Sequence, residues 1–400
     1  MTDNVYDAVS GSHAGETLDD DGSGQDWLTI SGSYNPLEYS VLTLQFTVDG
    51  SFVATSARAT IWDSPNLSRT LTVTGLIENA RGSDSRDYIT GNTGANILYG
   101  DNAASGLGGN DTIFGDEGSD TIYGGAGNDE ANGAEDADLI FGNDGNDNLS
   151  GAGGNDTIEG GAGADTMSGS SDAGDVLSYR TSNAGVTIRF EWGSTIFGMG
   201  GHAQGDRING FEDIEGSDFA DTLSEDTQAG LQVANVFRGY SGNDRMSLGG
   251  GNDTGMGGVG NDQINGEDGN DRLIGGAGLD QLKGGKGADQ LVGEAGADRF
   301  IFALASDSTV SVAGRDTITD FNRGQGDKIN LAGMDAQSGA GNQAFDFIGT
   351  ARFTGDKGDL RYVRAGTDVI VQGDINGDKK ADFAILVEDI GNLRAGDFIL

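Results

Sequence analysis

Gly124-Gly125-Ala126-Gly127-Asn128-Asp129-Glu130-Ala131-Asn132 reads as one tight turn followed by one short strand, and Gly160-Gly161-Ala162-Gly163-Ala164-Asp165-Thr166-Met167-Ser168 repeats it four nine-residue steps later. The phase holds through copies starting at Gly106, Gly115, Gly124, Gly133, Gly142, Gly151 and Gly160. It resumes at Gly239, Leu248, Gly257, Gly266, Gly275, Gly284 and Gly293. The sixth place is always Asp: Asp111, Asp120, Asp129, Asp138, Asp147, Asp156 and Asp165, then Asp244, Asp253, Asp262, Asp271, Asp280, Asp289 and Asp298. Asp fills 50 of 400 positions, so fourteen in-phase aspartates are not a chance arrangement and the chain is a solenoid.

Outward from the repeats, composition agrees. There are 72 Gly but only 2 Pro, and the glycines are periodic, which argues for stacked turns over several globular cores or a loose linker. The formal charge is −41, from 64 acids against 23 bases, and 50 of the acids are Asp. Such a balance excludes nucleic acid as a natural partner and argues against plain anionic membrane binding. Absence of Cys removes disulfides, thiolate metal sites and a Cys nucleophile. The opening residues, Met1 to Val9, lack a basic stretch followed by an apolar run, so no cleaved secretory signal is expected. No apolar run is long enough for a transmembrane span.

The chain reads as two copies of one unit and a different carboxyl-terminal segment. Alternating stretches at 26–31, 41–48 and 69–74, and at 175–180 and 185–190, are expected strands ahead of each run of repeats. Residues 77–89 and 211–223 share Glu, Gly-Ser-Asp and a later Asp at equal spacing, as a duplication would leave them. Hydrophobic alternations after residue 299 suggest an antiparallel β section that caps the solenoid end. The expected fold is all-β, with a β-rich section over 1–81, a first roll over 82–168, a β-rich insertion over 169–215, a second roll over 216–301 and a cap over 302–400.

In each nonapeptide, Gly at places one, two and four suits positive φ and close stacking, and the eighth residue points inward. That place holds Ile113, Ile122, Ala131, Ile140, Leu149, Ile158 and Met167, then Met246, Gly255, Ile264, Leu273, Leu282, Leu291 and Phe300. Burying one such side chain contributes ~1.5–3 kcal/mol. Fixing the backbone opposes it by ~1–2 kcal/mol for every residue, so the core alone is too thin. The Asp rows also repel one another unless a cation lies between them. A hard ion with six to eight oxygen ligands fits; zinc would want His or Cys, and only His13 and His202 exist, while magnesium keeps its waters. Calcium is the expected ion.

These blocks resemble the RTX repeats, GGxGxDxUx, of bacterial type I-secreted proteins, over roughly half the chain. The resemblance implies a parallel β-roll with two nonapeptides per coil. It would place Asp111, Asp129, Asp147 and Asp165 on one edge and Asp120, Asp138 and Asp156 on the other, with about ten calcium ions over both blocks. Asp136 at a Gly place, Leu248 at a first place and Gly255 at an inward place depart from the pattern. Asp87 and Asp221 form a secondary set of metal ligands, Asn96 standing at the sixth place of the 82–99 segment. Asp374, Asn376, Asp378 and Asp382 have the alternate spacing of a calcium loop, although Lys379 replaces its Gly and a hairpin turn explains the stretch too.

Asp298 to Phe302, Asp316 to Asn322 and Gly326 to Leu331 resemble the carboxyl-terminal region of serralysin-type (M10) secreted proteins. The final Asp397-Phe398-Ile399-Leu400 resembles the uncleaved signal read by type I exporters. What this implies is export from a Gram-negative cell and folding outside it, where calcium is abundant. No protease follows, because HExxH is absent, and GxSxG is absent too. The leading expectation is a secreted, non-enzymatic calcium-binding protein of the extracellular surface or matrix. One alternative is a polysaccharide-binding module, favoured by exposed Trp27, Trp62 or Trp192; another is a polysaccharide-modifying enzyme of unrecognised type.

Overall fold

In the computed structural model, side chains are described for residues 79–82, 86–101, 108–170, 174–190, 195–225, 233–337 and 343–400. Before these, the backbone is described for the strands Asn4–Val9, Asp26–Ser31, Val41–Gln45, Arg58–Trp62 and Arg69–Thr72. Trp27, Trp62 and Trp192, and the segment 83–85 of the duplicated stretch, lie outside the described side chains. The chain is all-β. Its only described helices are the one-turn 3-10 segments Gly201–Ala203, Val312–Gly314 and Ala395–Asp397. No described helix is long and apolar enough to cross a membrane.

Two compact units form, Met1–Ser182 with Gly193–Asp213, and Asn183–Trp192 with Ile214–Leu400. In the first, Thr121–Ala126, Leu139–Asp144 and Thr157–Ala162 pair in parallel at a constant offset, Thr121 opposite Leu139 and Leu139 opposite Thr157. The facing sheet runs Thr112–Asp116, Glu130–Ala134, Asn148–Ala152 and Thr166–Ser168 with the same step. Strands alternate between the two sheets along the chain, so one coil holds two nonapeptides. Asn4–Val9, Asp26–Ser31 and Asn79–Arg81 extend one sheet, each parallel to the next.

The second unit repeats the plan. One sheet runs through Val236–Ser241, Thr254–Val259, Arg272–Gly278 and Gln290–Gly296. The other runs through Thr222–Glu225, Arg245–Ser247, Gln263–Asp268, Gln281–Lys286 and Arg299–Ile301. The cap closes both. Thr317–Ile318 carries the first sheet to Phe383–Val387, which opens the antiparallel series Phe383–Val387, Asp368–Asp374, Asp359–Ala365. Lys328–Asn330 carries the second sheet to Phe398–Ile399. Asp397 is held by Arg323 through two hydrogen bonds of 2.7 Å.

The eighth-place residues are buried as their period requires, and Ala80, Ile89 and Leu98 extend the stack upstream in the first unit. The two departures in the second unit turn out to be one. Gly255 leaves its inward place empty, and Leu248, which replaces a first-place Gly, is fully buried beside it. A Cβ built on Gly255 would meet Leu248 Cδ1 at 3.0 Å and Ile264 Cγ2 at 2.8 Å. Leu248 fills the space that Gly255 vacates. Restoring the repeat pattern with Leu248→Gly will therefore destabilise the calcium-loaded chain by about 3 kcal/mol or more, as large-to-small core changes do. Adding Gly255→Leu should recover most of that loss, read from denaturant midpoints. Equal midpoints for the single variant and the wild type would refute this packing.

Candidate metal centre

Place-two and place-four residues bend the turn. Gly125 and Gly127 have φ of 113° and 129°, a region that Gly enters without the Cβ penalty. First-place Gly serves a different need, close approach. A Cβ on Gly124 would lie 2.7 Å from Asp129 Oδ2 and 2.8 Å from the carbonyl oxygen of Gly142 on the next coil. Those two oxygens converge on a space that only a missing side chain leaves open. The same pair of contacts recurs at Gly115 with Asp120 and Gly133, at Gly142 with Asp147 and Gly160, and at Gly257 with Asp262 and Gly275.

Each row aspartate divides its carboxylate between two jobs. Oδ1 accepts a hydrogen bond from the backbone N–H of the row residue one coil earlier: Asp111 N to Asp129 at 2.8 Å, Asp129 N to Asp147 at 2.8 Å and Asp147 N to Asp165 at 2.9 Å. The opposite edge runs Asp120 to Asp138 to Asp156 at 2.8 and 2.9 Å. In the second unit the edges run Asp244, Asp262, Asp280, Asp298 and Asp253, Asp271, Asp289. Oδ2 of Asp111, Asp120, Asp129, Asp138, Asp147 and Asp165 is buried with no hydrogen-bond partner among the described residues. The same holds for Asp244, Asp262, Asp271, Asp280, Asp289 and Asp298. A buried polar atom left unpaired is costly, so these oxygens call for a cation.

Among the described residues no three His, Cys, Asp or Glu side chains gather at one point. That follows from the geometry: one carboxylate per turn, and coils separated by a strand spacing of ~4.8 Å. Remaining donors have to be backbone carbonyls of the turns, such as those of Gly133, Gly142 and Gly160 that face the Asp oxygens. An all-oxygen set of this kind suits calcium.

Burial dominates the electrostatics. It pushes the carboxyl of Asp111 and of Asp147 up to about 8 and those of Asp120, Asp138, Asp244, Asp280 and Asp289 up to about 7, against the backbone hydrogen bonds that oppose the shift. Neighbouring row aspartates add repulsion, Asp129 and Asp165 on Asp147 for example. A carboxyl raised in the fold binds a proton that the unfolded chain has released. Its contribution to metal-free stability is therefore complete below the ordinary 3.8 and is lost as pH rises through about 6 to 8. In calcium-free solution the β signal will grow as pH falls from 8 towards 5. With calcium present, half-saturation will need more ion over the same window, because protons and calcium compete for one oxygen. A metal-free β signal that is flat across this range would contradict both.

The rows are longer than their phase shows. Asp175 accepts from Asp156 N and Asp206 from Asp165 N, while Asp316 accepts from Asp289 N and Asp327 from Asp298 N. Asp87 and Asp221 sit on the same rows, giving their N–H to Asp111 and Asp244. At several ends the chain itself supplies the donor. Tyr179 Oη donates to Asp206 Oδ2 at 2.9 Å, Ser170 Oγ to Asp175 Oδ2 at 3.0 Å, and Asn322 N to Asp327 Oδ2 at 2.8 Å. Asn96 and Asn235 open two rows with a neutral side chain, their N–H groups donating to Asp120 and Asp253.

Asp374 to Asp382 joins Asp368–Asp374 to Phe383–Val387 as a hairpin loop. Gly377 N and Lys379 N donate to the two oxygens of Asp374, and Ile375 N and Asn376 Nδ2 to those of Asp382. Asn376 and Asp378 likewise accept from Asp378 N and Lys380 N. Both oxygens of Asp374 and of Asp382 are satisfied within the loop, whereas Oδ2 of a row aspartate such as Asp129 is not.

Comparison with known proteins agrees with this geometry. The model for the RTX calcium-binding nonapeptide repeat matches residues 74–104, 105–140 and 141–176, and that for the peptidase M10 serralysin C terminal matches residues 202–400. No curated protein matches the chain. Among solved structures, two subunits of the Azotobacter vinelandii mannuronan C5-epimerase are similar at 21% and 22% identity. They cover 44% and 46% of this chain and 83% and 90% of theirs, with TM-scores of 0.20 and 0.18. An extracellular lipase of Serratia marcescens is similar at 14% identity over 83% of this chain and 42% of that one, with a TM-score of 0.19. The register, the Asp rows and the two family matches together make this chain an all-β protein of RTX calcium-binding nonapeptide repeats with a serralysin-type M10 carboxyl-terminal region.

Proposed function

We propose that this is a secreted protein whose rolls fold on binding calcium outside the cell, and that it serves as a non-enzymatic component of the extracellular surface or matrix. The observation that carries the reading is the set of buried, unpartnered Oδ2 atoms facing turn carbonyls along both edges of each roll. Row aspartates would supply one anionic oxygen per turn and the first-place glycines their carbonyls. Calcium, when bound, supplies the positive charge that removes repulsion between coils. About ten such ions would offset roughly half of the −41 charge.

The repeat and serralysin-type matches support export by a type I system, and neither matched model is a catalytic domain. HExxH and GxSxG are absent from the sequence. Equilibrium dialysis against labelled calcium, with magnesium as competitor, tests the reading. Several calcium ions per chain, retained against excess magnesium, are expected. Loose binding that magnesium displaces would overturn it.

A further inference from the structure

The outer face of one sheet in the second unit gathers four bases, Arg245, Lys283, Arg299 and Lys328, on this acidic chain. Its outward residues form two columns fixed by the strand register. One column runs Thr222, Arg245, Gln263, Gln281, Arg299, Lys328. The other runs Ser224, Ser247, Asn265, Lys283, with Ile301 and Asn330 further along. Neither contains an Asp or a Glu, in a chain where acids outnumber bases 64 to 23. The matching columns of the first unit place Glu130 between Thr112 and Asn148. In the second unit the strands leave a groove of about 330 Å³ lined by Arg245, Gln263, Asn265, Gln281 and Lys283. One acid reaches the face from its edge, Glu267, whose Oε1 accepts from Ser247 Oγ and Asn265 Nδ2.

Arg245, Lys283 and Arg299 take part in none of the ion pairs among the described residues. Bases left unpaired on a chain of this charge are not needed for solubility. They do offer charge complementarity to an extended anion. Amides and a hydroxyl between them, Gln263, Gln281 and Ser224, can hydrogen-bond the hydroxyl and carboxylate groups of a sugar chain.

We propose that this face binds an anionic polysaccharide lying along the roll axis, its carboxylates on Arg245, Lys283 and Arg299 and its hydroxyls on the intervening amides. Charge spacing selects this partner over nucleic acid. Arg245 and Arg299 are three strand spacings apart, ~14 Å, with Lys283 between them in the adjacent column. Three charges over that length suit a polymer with a carboxylate every one or two sugars. Duplex nucleic acid carries one charge per ~1.7 Å and would meet uncompensated repulsion from the rest of the chain. The proposal rests on the extracellular calcium-binding reading, because the face exists only once the roll has folded.

The test is fluorescence anisotropy with labelled short oligogalacturonate on the calcium-saturated chain, beside labelled neutral maltooligosaccharide and a single-stranded oligonucleotide. Salt-sensitive binding of the uronate alone is expected. Combined Arg245→Ser, Lys283→Ser and Arg299→Ser should weaken it by about tenfold or more, while Arg272→Ser with Arg238→Ser on the opposite sheet should not. Circular dichroism of each variant with calcium separates loss of this site from loss of the fold. Uronate binding unchanged in the triple variant would mean attachment through calcium on the turn rows and would overturn the proposal. So would equal binding of the neutral sugar or of the oligonucleotide, or no binding by a folded wild type.

Discussion

Withdrawing calcium at neutral pH will abolish most of the β-sheet circular dichroism of this chain, and returning calcium will restore it cooperatively, while magnesium will not. The thin core is the reason. Each nonapeptide buries one side chain such as Ile122, Ile140 or Leu282 between its sheets, and it must also order glycines that are flexible when unfolded. Without an ion, the fold further holds the row carboxyls in an environment that raises their pKa to about 6 to 8, so at neutral pH each resists folding or keeps a proton. Calcium reverses this, since the oxygens that repel one another become ligands, and binding free energy becomes folding free energy. Cooperativity follows from the stacking, because each coil contacts only its neighbours and a filled coil is the template for the next.

The cap should respond differently. It packs an ordinary apolar core, with Phe345, Leu360, Val369, Val371, Phe383, Ile385 and Val387 buried, and its strands Asp359–Ala365, Asp368–Asp374 and Phe383–Val387 pair antiparallel. A residual β signal in chelator will come from there, and protease digestion in chelator should leave that region most resistant. A chain whose whole signal survives chelation would remove the folding mechanism, though not the cation sites. Magnesium acting as well as calcium would argue against the all-oxygen turn geometry as the selective element, because magnesium holds a stricter, smaller octahedron.

Much of this fold was legible in the sequence because the nine-residue phase encodes register directly. The phase puts the eighth place inside, and two repeats per coil, which the RTX resemblance implies, put Asp129 beside Asp111 and Asp147. The phase fails where a coil carries an insertion. Asp206 follows Asp165 on its row although 41 residues separate them, Asp175 and Asp327 lie off the phase for the same reason, and Asp316 keeps the phase but follows Asp289 at 27 residues, on the row opposite to the one that phase assigns. A local signal does mark them: Asp175-Val176-Leu177, Asp206-Arg207-Ile208, Asp316-Thr317-Ile318 and Asp327-Lys328-Ile329 each keep the Asp-x-aliphatic triplet of the repeats. Other features have no local signal. That Leu248 fills the space of Gly255, or that Tyr179 closes a row at Asp206, depends on contacts between coils. Net charge concealed the basic face, because a total of −41 says nothing about which residues share a register column.

Replacing Asp147 at the middle of its row separates the two jobs of the carboxylate, and the sign of the effect will depend on calcium. Asp147→Asn keeps an oxygen able to accept from Asp129 N and exchanges Oδ2 for an amide that cannot ligate a cation as an anion would. The natural Asn96 and Asn235 show that the row tolerates this side chain where it begins. With calcium saturating, the variant should bind fewer ions and unfold at lower denaturant. In calcium-free solution it should be as stable as the wild type or more so, because the substitution removes a buried charge that Asp129 and Asp165 repel and whose pKa burial raises to about 8. Asp147→Ala loses both jobs. It leaves the Asp129 N–H without its acceptor in a buried place, a further cost of about 1–3 kcal/mol with or without calcium. Measured by denaturant unfolding in the two solutions, the Asn variant should cross the wild type and the Ala variant should lie below the Asn variant in both. If Asp147→Asn destabilises the chain equally with and without calcium, Asp147 serves the turn alone and the cation does not contact it.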